Sequence, residues 1–212
     1  MRYCLFNKPT FVFLLVFAAP IHAAPLHTAT LSGDLPVKTW RDMHNEQVVK
    51  QNFDYSCGAA SLATILQFQY SKTVSEEAIL KAFDKTDAVS FADMVGVLPK
   101  FGFKGYGIAL DYAQLAQLKI PVVVYLRYRG DDHFSVLRGI DDERVWLADP
   151  SWGNRVLSKA AFTAMWHTRE GVALPGKVLL VIPQEGAAVS ASNFFAPPPT
   201  SHTADGLLLR HR

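Results

Sequence analysis

Cysteine is scarce in this chain: two in 212 residues, Cys4 and Cys57. So few cysteines exclude a disulfide scaffold. Clusters of cysteine and histidine at metal-ligand spacing are also absent, which excludes a structural zinc site. A membrane-length apolar run is missing too, because the continuous stretch from Phe11 to Ala19 falls well short of the ~20 residues needed to cross a bilayer. Excess charge is the third absence. With 21 basic and 19 acidic residues, the chain offers no electrostatic footprint for a nucleic acid or an anionic membrane surface. There is no internal repeat. With 50% hydrophobic residues, the length suits one globular domain with a sizeable core.

The short apolar run instead has the setting of a secretory signal peptide. Arg2 and Lys8 give it a basic start, and the small residues Ala23 and Ala24 precede Pro25, which places cleavage after Ala23 and the mature protein in the periplasm or outside the cell. Losing Arg2 and Lys8 from 21 basic residues leaves 19 of each sign, so the mature protein is neutral. Cys4 leaves with residues 1–23 and has no lipidation box around it. Cys57 is then the sole thiol of an exported protein. It reads as a reactive thiol, as half of an intermolecular bridge or as an inert buried residue.

Residues 24–46 show little periodicity and are expected to be irregular. From Cys57 onward, Ala60, Leu62, Ala63, Ile65, Leu66 and Phe68 keep the apolar spacing of a helix. Thr73 with Glu76 predicts a capping box for a helix over 77–83. Ser90 with Asp93 predicts another, for a helix ending near Phe101 at Gly102. The second half turns to short β-rich runs at 103–110, 122–128, 133–140, 144–148 and 178–182. Asp141-Asp142-Glu143 joins the third and fourth as a hairpin, and Asp111 caps a short helix over 112–118. Helices first and an antiparallel sheet second make an α+β domain over 47–183, its helical half packed on the sheet. From Gln184 the periodicity stops, and 184–212 reads as a mostly disordered tail. Asn193-Phe194-Phe195 and Leu207-Leu208-Leu209 are the segments in it able to dock.

Four positions carry chemistry. Ser56-Cys57-Gly58-Ala59-Ala60 sets the thiol at a helix start, where free N–H groups and the positive dipole end favour thiolate over thiol. Gly58 is expected to let a substrate backbone approach the sulfur. Gln51, six residues earlier, is either a surface residue or an amide that donates to a developing oxyanion together with the Cys57 N–H. His133 opens the run His133-Phe134-Ser135-Val136-Leu137 and can take the thiol proton and pass it to a leaving amine. Among the seven histidines only His167, after Trp166, competes with it. Asp149, in Leu147-Ala148-Asp149-Pro150, is either a simple Asp-Pro turn or the carboxylate that orients His133 from the end of the hairpin. Asp131 and Asp132 directly precede His133 and can instead tune its charge.

Taken in order, Gln51, then Cys57-Gly58-Ala59-Ala60-Ser61-Leu62-Ala63, then His133-Phe134-Ser135-Val136, then Asp149-Pro150 resemble the bacteriocin-processing, or double-glycine, cysteine peptidases. The resemblance spans residues 47–166. It implies a papain-like fold with these positions as oxyanion glutamine, nucleophile, base and orienting aspartate, no metal or other cofactor, and a narrow groove that accepts Gly or Ala near the cut. Members usually sit at the front of peptide-exporting transporters. This chain has an export signal and no transporter. That layout is similar to stand-alone periplasmic members, including those found with functional-amyloid export systems. The expected partner is therefore an exported polypeptide of amyloid or peptide secretion machinery, with no nucleic acid and no stable membrane anchor. The same trio also serves a transglutaminase-like acyltransferase or amidase, and a papain-like domain can bind peptides without chemistry. The residues alone leave these readings open.

Overall fold

A computed structural model describes residues 23–27, 32–36, 38–85, 87–185 and 192–196. The chain divides into two units, Met1–Thr39 and Trp40–Arg212. In the first, β1 (Ala23–His27) runs antiparallel to β2 (Ser32–Pro36), with Ala23 opposite Pro36 and His27 opposite Ser32. In the second, α1 (Trp40–His44) opens the chain. Both findings correct the irregular assignment of 24–46. Neither strand alternates apolar and polar residues, so no period-two pattern marks the pair in the sequence. The run Phe11 to Ala19 and Leu207-Leu208-Leu209 lie outside the described residues.

The helical layer follows. All eight residues of α2 (Cys57–Thr64) are buried, and the helix widens into a π-helical turn at Ile65–Gln69. Next come α3 (Glu76–Phe83) and α4 (Phe91–Val97), and a 3-10 turn over Leu98–Phe101 ends at Gly102 with φ +90°. The Ser90–Asp93 capping box forms as its spacing predicts. The Thr73–Glu76 box does not. Ser75 caps α3 instead, accepting from Ala78 N–H at 3.1 Å, because the Glu76 carboxylate turns inward and binds Asn52.

Six antiparallel strands form the sheet: β3 (Phe103–Leu110), β4 (Val122–Tyr128), β5 (Asp131–Ile140), β6 (Arg144–Asp149), β7 (Gly153–Ser158) and β8 (Gly176–Pro183), in the spatial order β3-β8-β4-β5-β6-β7. The edge strand β7 went unread in the sequence, because Gly153-Asn154-Arg155 gives it no apolar alternation. Two further helices, α5 (Tyr112–Gln117, capped by Asp111) and α6 (Lys159–Trp166), pack with the sheet. The buried residues therefore form two cores. Leu62, Leu66, Ile79 and Met94 of the helical layer meet Val123, Val136 and Leu179 in one. Leu115, Phe162 and Trp166 meet Val122, Val124 and Leu137 in the other. Val122, Val123 and Val124 are continuously apolar because successive side chains of a strand enter opposite cores.

The tail is not structureless throughout. Phe194 is fully buried in the first core, 6.0 Å from the Phe68 ring between centroids and 4.7 Å from the Arg138 guanidinium. A single phenylalanine buried this way gains enough apolar area, worth about 1.5–3 kcal/mol, to hold a short polar segment in place. We predict that Phe194→Ala lowers unfolding stability by about 3–5 kcal/mol. Denaturant titration measures this, and a loss under about 0.5 kcal/mol, the range of an ordinary surface change, would place Phe194 outside the core.

Candidate active site

Cys57 is the first residue of α2, and its side chain is buried. It is a free thiol. The helix behind it is built from small residues so that its neighbours can pack closely. A Cβ added at Gly58 would lie 2.5 Å from Met94 Cε and 2.6 Å from Val89 Cγ2. Gly58 thus lets α2 pack closely against α4 and the segment before it, a packing role that the sequence reading did not include.

His133 and Asp149 come together across the β5–β6 ladder. Val136 pairs with Ala148 and Leu137 with Leu147. Continuing that register places Ser135 opposite Asp149, with His133 on the adjacent diagonal of the same face. His133 Nε2 lies 3.1 Å from Asp149 Oδ2. The second oxygen, Oδ1, accepts from the backbone N–H groups of Ser151 at 2.9 Å and Trp152 at 3.0 Å. Asp149 has no exposed surface. Burial works to raise its pKa, but the His133 hydrogen bond and charge and the two amides together hold it below the usual carboxylate value.

The same balance acts on His133 in reverse. Burial opposes its charge, but hydrogen bonds to Asp149 and to Cys57, with the charges of both, raise its pKa to about 9. Nε2 faces Asp149, which leaves Nδ1 for the thiol. A pKa of about 9 favours an imidazolium at neutral pH between a sulfur and a carboxylate, a state that can protonate a leaving amine. Asp132, the nearby alternative carboxylate, is largely exposed and pairs with Arg127 at 3.6 Å. His167 follows α6, where its backbone bridges Gly176.

Gln51 is anchored to the turn that carries Asp149. Its backbone N–H donates to Pro150 O at 3.1 Å. Its side-chain Nε2 donates to Phe53 O at 3.0 Å, and its Oε1 accepts from Ser151 Oγ at 2.6 Å. Residues on either side are held as well, Val49 N–H by Thr64 Oγ1 and Asn52 N–H by Glu76 Oε1. The structure brings the sequence-read His133 and Asp149 together and ties Gln51 to the same turn, and sequence reasoning missed the supporting ring of Ser151, Trp152, Asn52 and Glu76. Only the adjacency of Ser151 to Asp149-Pro150 hinted at it. Beside Cys57 lies a cavity of about 430 Å³ with Val89, Phe91, Tyr125 and Phe134 in its walls. Lys177 also lines it, with Nζ 3.9 Å from the Tyr125 ring centroid. Among the described residues, no three His, Cys, Asp or Glu side chains are grouped to hold a metal ion.

Residues 45–174 match the profile of the Peptidase C39 family. A relative described as "Probable functional amyloid protease FapD" from Pseudomonas fluorescens is 32% identical over 210 residues, covering 93% of this chain and 88% of the relative. Its namesake from Pseudomonas aeruginosa is 32% identical over 184 residues, covering 83% and 76%. In fold, the chain is similar to the peptidase domain of Streptococcus ComA, a bi-functional ABC transporter, with TM-score 0.56 and 22% identity over 65% of this chain and 98% of that one. It is also similar to a double glycine motif protease from an AMS/PCAT transporter, solved with its leader peptide, with TM-score 0.54 and 22% identity over 65% and 91%.

The raised pKa of His133 makes the protonated ring a contributor to stability. A folded value of about 9 against about 6.5 unfolded means that the contribution is complete below pH 6.5 and is lost as pH rises through 9. The stability difference between wild type and His133→Gln should therefore shrink between pH 6.5 and 9, by on the order of 3 kcal/mol. Denaturant unfolding across that range checks it, and a constant difference would contradict an imidazolium at this site.

Proposed function

Because the chain belongs to the Peptidase C39 family and is a cysteine peptidase, we propose that it cuts an exported polypeptide of a functional-amyloid system, in the periplasm or outside the cell, using Cys57, His133, Asp149 and Gln51. The observation that carries the residue assignment is His133 lying between the Cys57 thiol and the buried Asp149 carboxylate. Cys57 sulfur attacks the scissile carbonyl. The oxyanion that forms takes hydrogen bonds from the Cys57 N–H, which the first helical turn leaves without an intrahelical acceptor, and from the Gln51 amide. The C–N bond breaks as His133 gives its proton to the departing amine. The neutral ring then takes a proton from water, which opens the thioester and frees the thiolate. Asp149 keeps the ring oriented through both steps.

The substrate reading is supported by the extent of the match to the two amyloid-protease relatives. The location is supported by the signal-like segment from Arg2 to Ala24. A small residue before the cut brings the substrate backbone close to Cys57 and Gln51 together, and the apolar cavity beside the thiol suits a larger side chain nearby.

Cys57→Ala should abolish cleavage and leave the fold intact. Comparison of the N-termini of exported proteins in wild-type and Cys57→Ala cells should show an uncut amyloid-system component in the variant alone. Identical termini would remove the processing role. Gln51→Ala should lower kcat by roughly 100- to 1,000-fold with little change in KM, and a loss under about threefold would leave Gln51 no part in the oxyanion site.

A further inference from the structure

The side-chain amide of Gln51 has one orientation that its neighbours allow. Phe53 O, 3.0 Å from Nε2, is a carbonyl and can only accept, so the amide nitrogen must face it. The amide oxygen then faces Ser151, whose hydroxyl donates across 2.6 Å. Among the described residues nothing accepts the second N–H of the amide, and its direction is fixed. Two partners on opposite sides stop the amide from rotating, and among the described residues only Ser151 holds the oxygen end. The same residue donates its backbone N–H to Asp149 Oδ1 at 2.9 Å, and its neighbour Pro150 accepts the Gln51 backbone N–H at 3.1 Å. One turn thus grips the carboxylate that orients His133 and the glutamine expected to meet the oxyanion. Ser151 itself is exposed, so its hydroxyl is not needed to fill the core.

We propose that the Ser151 hydroxyl is a positioning residue for peptide hydrolysis: it locks the Gln51 amide so that its free N–H is aimed before the transition state forms. This rests on the reading of Gln51 as an oxyanion donor. Preorganised donors cost no reorganisation at the moment of reaction, and a donor left free to rotate loses that advantage. The hydroxyl acts on Gln51 alone, since the backbone N–H that Asp149 uses survives any substitution at 151 except proline.

The test uses the mature chain and an internally quenched peptide with Gly-Gly before the cut. Ser151→Ala should lower kcat by about tenfold, the worth of one orienting hydrogen bond, with KM within twofold. Ser151→Thr, which keeps the hydroxyl, should restore most of it. In a Gln51→Ala background, Ser151→Ala should cost nothing more, because two residues acting as one unit do not add. The pH profile of Cys57 alkylation by iodoacetamide should match wild type, since the pair of Cys57 and His133 is untouched. If Gln51→Ala is severe while Ser151→Ala changes kcat less than twofold, the positioning role fails and the oxyanion role stands. If Gln51→Ala itself is mild, the oxyanion role fails first and the positioning role with it. A shifted alkylation profile in Ser151→Ala would show that the hydroxyl acts through the Asp149 turn and overturn the proposal.

Discussion

A carboxylate with no exposed surface must have its acceptor sites filled, and around Asp149 that demand shapes the surrounding chain. One oxygen takes His133 and the other takes the amides of Ser151 and Trp152. To present those two amides, the backbone has to fold back directly after Asp149. Pro150, between Asp149 and those amides, has no N–H to satisfy. The turn closes at Gly153 with φ +80°, where an added Cβ would lie 2.7 Å from His44 O and 2.8 Å from Asn45 Oδ1. The turn that serves the carboxylate is thereby pressed against the chain leading to Gln51. His44 bonds Trp152 O, and Asn154 donates to Glu46 O at 2.8 Å. Burying one carboxylate thus sets the path of both segments that carry the polar half of the site.

The charges follow from the same enclosure. An isolated buried carboxylate would take up a proton, and an isolated buried imidazole would give one away. Placed 3.1 Å apart, each reverses the other's tendency, so that His133 is raised to about 9 while Asp149 is held low. The sulfur of Cys57 adds to the first effect. A ring held protonated beside a thiol is the state from which the proposed mechanism passes a proton to a departing amine.

What the sequence discloses divides by distance along the chain. The Ser90–Asp93 box and the Asp111 cap are local hydrogen-bond patterns, and both were legible, though the reciprocal bond from Gln114 was not read. So was the start of α2 at Cys57, and so were the limits of β3 and β4, where apolar runs end in turn residues. The pairing of His133 with Asp149, sixteen residues apart, was legible because a hairpin makes that separation local. The failures came where a distant partner decides. Glu76 looked like a cap partner for Thr73 until Asn52, far earlier in the chain, claimed its carboxylate. Asn193-Phe194-Phe195 was read as able to dock, but the pocket that takes Phe194 is made by the distant Phe68 and Arg138, which no local pattern could name. Arg138 in turn is placed by a bulge in β5 that no residue pattern announces. The β1–β2 pair had only a backbone ladder to reveal it.

Gly58 shows how packing and chemistry share the labour. The residue after the nucleophile is small because Met94 and Val89 occupy the space beside it, and Ala59, Ala60 and Ala63 extend the same close approach along α2. A helix buried on every side has one position only, so the sulfur at its start is located by apolar contact. The oxyanion side has no such enclosure. Gln51 is half-buried and Ser151 exposed, and their positions rest on hydrogen bonds to Phe53, Pro150 and Asp149. Cys57 is therefore placed by the packed core, while the Gln51 amide, proposed to meet the oxyanion, is placed by a short polar ring. Substitutions that loosen packing act on the whole fold. Those in the ring act on direction alone, and there a catalytic effect can appear with no loss of stability.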